Sequence, residues 1–495
     1  MRKELKKYTR TRGVRVPPVR TVYHGCEFLH IPRARFLNGG HKFRGLLDRA
    51  LPDVLKYHIN TARAGRKGKK MVGCGCFSGF PSPEGLSPLQ ERAFRLAMGG
   101  LACNIRSVSA GIFREKRLCL MAGLDYDTPW TRDASFNVYF ALAALDAGTA
   151  ENTLFSVLEE KDGKTLIGGQ YWDRAVWALG AYRLWQVTKS RALAERAYTA
   201  IRDTVLICEK EEQDETDGLF FGAAVYGDGV SAYPEKYRNP DLDSGIARWP
   251  RKNPGRRRMT GGGLPMKALS TNCMYTEVYR ILSKFAASLG KTEEAEEYRI
   301  KHGAMKRRVD RAFWNEKSGN YDYLLGESEA QEGLGLAFAL LFDIAPGDRA
   351  EMVMNNTFAA PAGLPCVWPS FEPYRGMGGY GRHSGTVWPH VQGFWALACL
   401  HRGRRDLFET EARKMAENAV NSGQFAEIYH PETGKVYGGI QDAGGKYDEW
   451  KSCSCQAWSA AAYVSLVLYG ICGLREDESV SARGSLQVRG ADHII

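Results

Sequence analysis

The chain has 495 residues, 44% of them hydrophobic and 25% charged, and a formal net charge of +12; this is the composition of a globular protein, not of a disordered or fibrous one. A core of this size needs no disulfide or metal staple, and no stretch approaches the roughly 18 apolar residues of a membrane helix. Much of the positive charge lies in residues 1–20 and in the loop Arg248–Arg258, which carries Arg251, Lys252, Arg256, Arg257 and Arg258, but no recognised nucleic-acid module accompanies it, so neither nucleic acid nor a membrane is expected as a partner.

Residues 1–84 are irregular, with Pro17-Pro18, Gly39-Gly40 and a short helical stretch near 43–62. They read as an N-terminal extension to a domain spanning 85–475, which a polar tail, 476–495, follows. The basic start, Met1-Arg2-Lys3-Glu4-Leu5-Lys6-Lys7, has no apolar segment after it as a secretory signal would, so a cytoplasmic location is expected. Of twelve cysteines, several (Cys103, Cys208, Cys273, Cys399, Cys472) fall on helical apolar faces, where Cys acts as a small hydrophobe. Cys74-Gly75-Cys76 and Cys453-Ser454-Cys455 are the close pairs. They lack the ligand number and spacing of a zinc site, so no metal and no cofactor are expected.

From Ser87 the texture is helical. Twelve segments have helical length and periodicity: 88–106, 133–147, 150–160, 174–189, 191–211, 267–289, 292–316, 331–343, 347–356, 386–402, 405–421 and 456–472. Tight turns such as Lys189-Ser190, Leu289-Gly290-Lys291 and Arg402-Gly403 join the second segment to the third, the fourth to the fifth, and so on. Long connections precede every even segment, so the segments pair as hairpins with short turns at one end and open loops at the other. Odd segments such as 291–314 are rich in Glu, Lys and Arg, as an outer ring should be; even ones such as Ala175–Ala181 are poor in charge. No fixed sequence repeat marks an open solenoid. The fold expected is therefore all-α, an (α/α)6 toroid.

The long loops carry the chemistry. Trp130-Thr131-Arg132-Asp133, Trp172-Asp173-Arg174, His383 to Pro389 and Cys455-Gln456-Ala457-Trp458-Ser459 each run into an even helix. In a closed ring they share one end and form a bowl of aromatics and carboxylates suited to a sugar. Glycoside cleavage needs two carboxyl groups, one to protonate the leaving oxygen and one on the other face of the sugar. Asp228, between Gly227 and Gly229 and followed by Tyr233-Pro234, and Glu427, in Ala426-Glu427-Ile428-Tyr429, lie in two of these loops, as Asp133 and Asp173 also do. Each has a plainer structural reading: Asp228 as a turn residue, Asp133 as a helix cap, the tryptophans as core.

At these residues the chain resembles the (α/α)6 glycosidases of the glucoamylase type, in particular the amylo-α-1,6-glucosidase domain of glycogen debranching enzymes and glycoside hydrolase family 63. The family's W-x-R-D, HxGxVWP, A-E-I and Q-A-W-S segments match Trp130–Asp133, His383–Pro389, Ala426–Ile428 and Gln456–Ser459, and its acid-bearing loop matches Tyr226–Gly229 ahead of Leu269–Tyr275. The resemblance spans about residues 88–472. It implies an inverting, exo-acting hydrolase of glycosides or oligosaccharides, α-glucosidase-like, with Asp228 as general acid, its pKa raised by burial, and Glu427 as general base. It further implies Trp130, Arg132, Asp133, Trp172, Asp173, Tyr233, His383, Trp388, Gln456 and Trp458 as substrate-binding residues. The chain departs from the family pattern at Gly227, where a larger residue is usual, in its long basic 235–265 loop, and in lacking an N-terminal β-sandwich. The basic loop leaves a phosphorylase or an enzyme acting on uronic acids as alternatives, and a non-catalytic sugar-binding protein is a third.

Overall fold

The computed structural model describes residues 82–488. The N-terminal extension up to residue 81, the Cys74–Cys76 pair and the last seven tail residues lie outside the described residues. Among the described residues, twelve principal helices follow one another: α1 (Pro88–Asn104), α2 (Thr131–Asn137, continued by a wide π turn, Val138–Leu142, and by Ala143–Leu145), α3 (Ala147–Phe155), α4 (Asp173–Thr188), α5 (Arg191–Glu212), α6 (Leu269–Ser288), α7 (Thr292–Phe313), α8 (Gly333–Leu341), α9 (Gly347–Asn356), α10 (Pro389–His401), α11 (Arg405–Ser422) and α12 (Ala457–Ser465, continued by a π turn, Leu466–Ile471). Strands are confined, among the same residues, to two-stranded antiparallel ribbons in the long loops.

Local chemistry sets the helix ends. Ser87 caps α1 through a reciprocal pair with Gln90, and Pro88 takes the first helical position, where its missing N–H goes unused. Ser190 caps α5 by accepting from the Leu193 N–H at 3.2 Å. The turns after α6 and α10 put Gly290 at φ +78° and Gly403 at φ +80° in open space. It is the left-handed backbone at these two positions that calls for glycine, not crowding.

The even helices close a ring: α2 packs on α4, α4 on α6, α6 on α8, α8 on α10, α10 on α12, and α12 back on α2. The odd helices back them, α1 against α11 and α12, α3 against α2 and α4, α5 against α4 and α6, α7 against α6, and α11 against α10. Every residue from Ala457 to Ser465 is buried. In α7 only Tyr298, Met305, Val309 and Phe313 are buried, one stripe of an otherwise solvated helix. The small-residue texture of the inner helices has a steric cause. A Cβ on Gly180 of α4 would stand 2.8 Å from the Ser135 carbonyl oxygen, and one on Gly393 of α10 would stand 2.7 Å from the Ala462 Cβ. The closed ring of six hairpins is the expected (α/α)6 toroid.

The tail beyond Arg475, polar in sequence, contributes to packing. Val480 and Leu486 are buried, Arg183 donates to Glu476 at 2.8 Å, and Leu486 and Val488 bracket Glu84 through backbone bonds of 2.9 Å. No helix among the described residues is long and apolar enough to cross a membrane.

Candidate active site

All the long loops emerge at the same end of the ring, and five of them enclose a cavity of about 350 Å³. Trp130, Arg132, Asp133, Trp172, Asp173, Asp228, His383, Trp388, Glu427, Gln456 and Trp458 all line it. Residues as far apart as 130 and 458 therefore share one wall.

Asp228 sits on the loop between α5 and α6. Its carboxylate receives two hydrogen bonds of 2.8 Å from Arg132, a bidentate pair of the strong type. Arg132 also donates to the Val225 carbonyl at 2.7 Å, and its guanidinium lies 5.5 Å from the Trp172 ring and 5.4 Å from the Trp458 ring. The neighbouring glycines make room. A Cβ on Gly227 would meet the Tyr233 hydroxyl at 2.2 Å, and one on Gly229 would meet Gln441 Oε1 at 2.1 Å and His383 Nδ1 at 2.5 Å. A residue larger than glycine at 227 would displace the Tyr233 ring.

Glu427 sits on the loop between α11 and α12. Arg382 donates to its Oε2 at 2.6 Å and the Cys453 N–H does so at 3.0 Å, while Tyr126 donates to Oε1 at 3.2 Å. This ion pair is buried on both sides. One carboxylate oxygen is thus fixed by a cation and the other faces a hydroxyl at the cavity wall.

The electrostatics differ from the sequence expectation at Asp228. Burial alone would raise its carboxyl, but the charge and hydrogen bonds of Arg132, with help from Arg382, outweigh burial and hold it below the ordinary range. The groups pushed upward are others. Asp133, buried, with Glu427, Asp173 and Asp228 nearby, is raised well above the ordinary range despite Arg132; burial lifts Asp173 to about 6. Burial takes His383 down to about 3, so its ring is neutral, with Nδ1 3.0 Å from Gln441 Oε1.

Asp133 is not the cap of α2. Trp130 holds that position without a side-chain bond, and Asp133 accepts instead from Gln456 Nε2 at 2.8 Å, joining the first inner helix to the last. Asp173 accepts from the Gln170 N–H at 2.7 Å. The Trp388 indole donates to the Arg382 carbonyl at 2.8 Å. Tyr233 departs from the expected position. It is fully buried behind the cavity, and its hydroxyl is used up in accepting from the Ala224 N–H and donating to the Gly227 carbonyl at 2.7 Å. It braces the turn that carries Asp228 and does not face the cavity.

Tyr126, Gln170, Arg382, Gln441 and Trp450 also line the cavity, and sequence reasoning passed over them. Arg382 had a signal, standing next to His383 in a recognised segment. Tyr126 and Trp450 lie in irregular stretches with none. Of the basic loop, Arg248 alone reaches the cavity, where it pairs with Asp243 at 2.7 Å. Lys252 turns to Asp241 and Asp243, and Arg258 to Glu212.

A closed ring of helical hairpins with a carboxylate-lined, tryptophan-walled cavity at its loop end defines a six-hairpin glycoside hydrolase. The chain belongs to the mannosylglycerate hydrolase MGH1-like glycoside hydrolase domain family, whose model matches residues 130–459. Among solved structures, the GH63 mannosylglycerate hydrolase from Thermus thermophilus in complex with glucose superposes with a TM-score of 0.54 at 18% identity, covering 77% of this chain and 100% of that one. A sialidase superposes with a TM-score of 0.57 at 14% identity over 86% of this chain and 38% of its own. At these identities the likeness shows the fold. Neutral/alkaline invertase 1, mitochondrial, of Oryza sativa subsp. japonica is 26% identical over 175 residues, 31% of this chain and 26% of the invertase. The chain thus matches about a quarter of that relative's length.

Proposed function

We propose that the protein is an inverting, exo-acting hydrolase of α-glycosides with a gluco-configured terminal sugar, Asp228 serving as general acid and Glu427 as general base. The observation that carries this reading is that the two carboxylates come from loops far apart in sequence, line one cavity and are each held by a separate arginine. Arg382 fixes one oxygen of Glu427 and leaves the Tyr126-facing oxygen to take a proton from the attacking water. Asp228 begins ionised against Arg132. The Asp228 side chain is 38% exposed in the free protein; a sugar that seals the cavity and draws the Arg132 N–H groups onto its hydroxyls removes both water and hydrogen bonds from that carboxylate, and Asp228 gains from solvent the proton it delivers to the leaving oxygen. Asp133, Gln456, Trp172 and Trp458 enclose the terminal ring.

NMR of the first-formed anomer tests the stereochemistry, since inversion follows from water attacking opposite the leaving group. Asp228→Asn and Glu427→Gln should each lose roughly 10²- to 10⁴-fold in kcat while staying folded. A retained anomeric configuration, or either variant keeping near-normal turnover, would overturn the assignment.

Arg248 at the cavity mouth favours a second reading of the leaving group, an acidic aglycone such as the glycerate of the mannosylglycerate hydrolases. Comparing an acidic with a neutral aglycone on the same sugar decides it: equal kcat/KM values would remove the acidic preference.

A further inference from the structure

A second cavity, of about 720 Å³, lies beside the first. It is formed by the end of α11, the 433–438 turn and residues 449–454. Trp450 lines both cavities. We infer that this second cavity is a leaving-group subsite that takes a further sugar unit of the substrate, with the Trp450 indole as its stacking platform.

Trp450 is held as a platform would be. Its N–H donates to the Gly439 carbonyl at 3.0 Å. Its own carbonyl oxygen lies 1.2 Å from where a Cβ on Gly438 would stand, so no side chain fits at 438 without moving the tryptophan's backbone. Arg382 ties the two stretches together, donating to the Gly438 carbonyl at 2.9 Å and to the Lys451 carbonyl at 3.2 Å. The same guanidinium lies 5.7 Å from the Trp450 ring and pairs with Glu427. The arginine that positions the proposed base therefore also positions the indole. Even so, 39% of Trp450 is exposed, against 2% of Trp458 and 1% of Trp172. A large aromatic anchored by its backbone, with a guanidinium over its ring and more than a third of the residue in solvent, is a binding surface, not core.

The chemistry of the second cavity fits a sugar and not an apolar group. Asn421, Tyr437, Ser454 and Lys435 line it and supply the hydroxyl, amide and ammonium groups that hydrogen-bond sugar hydroxyls. Trp450, with Tyr437 and Val436, supplies apolar surface, and apolar faces with a few convergent polar groups are the usual build of a ligand pocket. Direction follows from burial. Asp133, Trp172 and Trp458 form the buried, closed end, while Trp130 and Trp450 are exposed at the rim, and of these two Trp450 also lines the second cavity. A substrate with its terminal sugar at the closed end runs its leaving group past Trp450. This direction rests on the function proposed above.

The test is calorimetric titration of the Glu427→Gln protein with glucose disaccharides and trisaccharides of matched α-1,2, α-1,3, α-1,4 and α-1,6 linkage. At least one trisaccharide should bind about tenfold or more tightly than its disaccharide, a gain of ~1.4 kcal/mol. Adding Asn421→Leu or Lys435→Met, neither of which lines the first cavity, should abolish that gain and leave disaccharide affinity within about twofold. Two variants guard against one failing to fold, and thermal unfolding checks both. No gain for any trisaccharide, or a gain that survives both variants, overturns the inference. Hydrolysis of short glycosides without a trisaccharide gain would leave the proposed reaction standing and remove the subsite. A gain in a protein that hydrolyses none of these sugars would keep the subsite and refute the reaction.

Discussion

Arg132 lies between two tryptophans and is chelated to Asp228, where the proposed binding and chemistry would meet. Its pairing with Asp228 exists in the free protein and, in the proposed cycle, is broken by substrate. The pH profiles should show this. The basic limb of kcat/KM reports the acid group in the free enzyme, and that of kcat reports it in the complex. Because Arg132 depresses the free Asp228, the kcat/KM limb should lie at lower pH than the kcat limb, and Arg132→Met should bring the two together. Coincident limbs in the unmutated enzyme would show that Arg132 does not gate the acid. The location of Asp228 was legible in the sequence from its glycines and its loop. Its charge state was not, because that depends on an arginine ninety-six positions away.

Glu332, just ahead of α8, is a fully buried carboxyl that does not line the cavity. It accepts from the Ser270 N–H at 3.0 Å, and burial pushes it up to about 8. At low pH both folded and unfolded chains hold its proton. As pH rises from about 4.5 towards 8, only the unfolded chain releases it, so stability falls across that window, by ~1.4 kcal/mol for each unit separating the two pKa values. Glu332→Gln keeps the acceptor and cannot ionise. Its Tm should exceed that of the unmutated protein at pH 8, with the difference closing towards pH 5. Parallel Tm curves would show that Glu332 does not set this slope.

At the scale of elements, alternating tight turns and long loops made all twelve helices readable, because a two- or three-residue turn leaves two helices little choice but to pack antiparallel. The π turns inside α2 and α12 were not readable. Each lies within an unbroken apolar run, with no Pro or polar break to mark where the hydrogen bonding widens. The ribbons in the loops escaped for a related reason, being only two to four residues long per strand. Contact between inner helices combines an aromatic cluster, in which Phe136 and Phe140 of α2 and Phe338 of α8 pack on Phe394 of α10, with glycines at the closest approaches. Gly180 N–H donates to Ser135 Oγ at 3.0 Å, and a methyl group there would press on the Ser135 backbone. Gly180→Ala should therefore destabilise by roughly 1–3 kcal/mol through overpacking, against the small gain that Gly→Ala brings in an ordinary helix. Chemical denaturation measures this, and a stabilised variant would mean that α2 and α4 can part without loss.

At the scale of the whole molecule, closure is the organising fact. The last helix sits between α10 and α2 and brings Gln456 to Asp133 and Trp458 to Arg132. A chain ending at Cys455 would expose the flanks of α2, α10 and α1 together. It should show no cooperative thermal transition by near-ultraviolet circular dichroism and no activity. A truncated protein melting sharply near the full-length Tm would make the ring dispensable.

Closure also fixes when the enzyme comes into being. On the ribosome the two carboxylates are made early and late, at 228 and 427, yet the wall between them waits for residues 456 and 458. A nascent chain that already carries both carries no site, and the final inner helix confers it as the ring shuts. The proposed site thus forms only once the final inner helix has been made, and its activity would report closure of the ring.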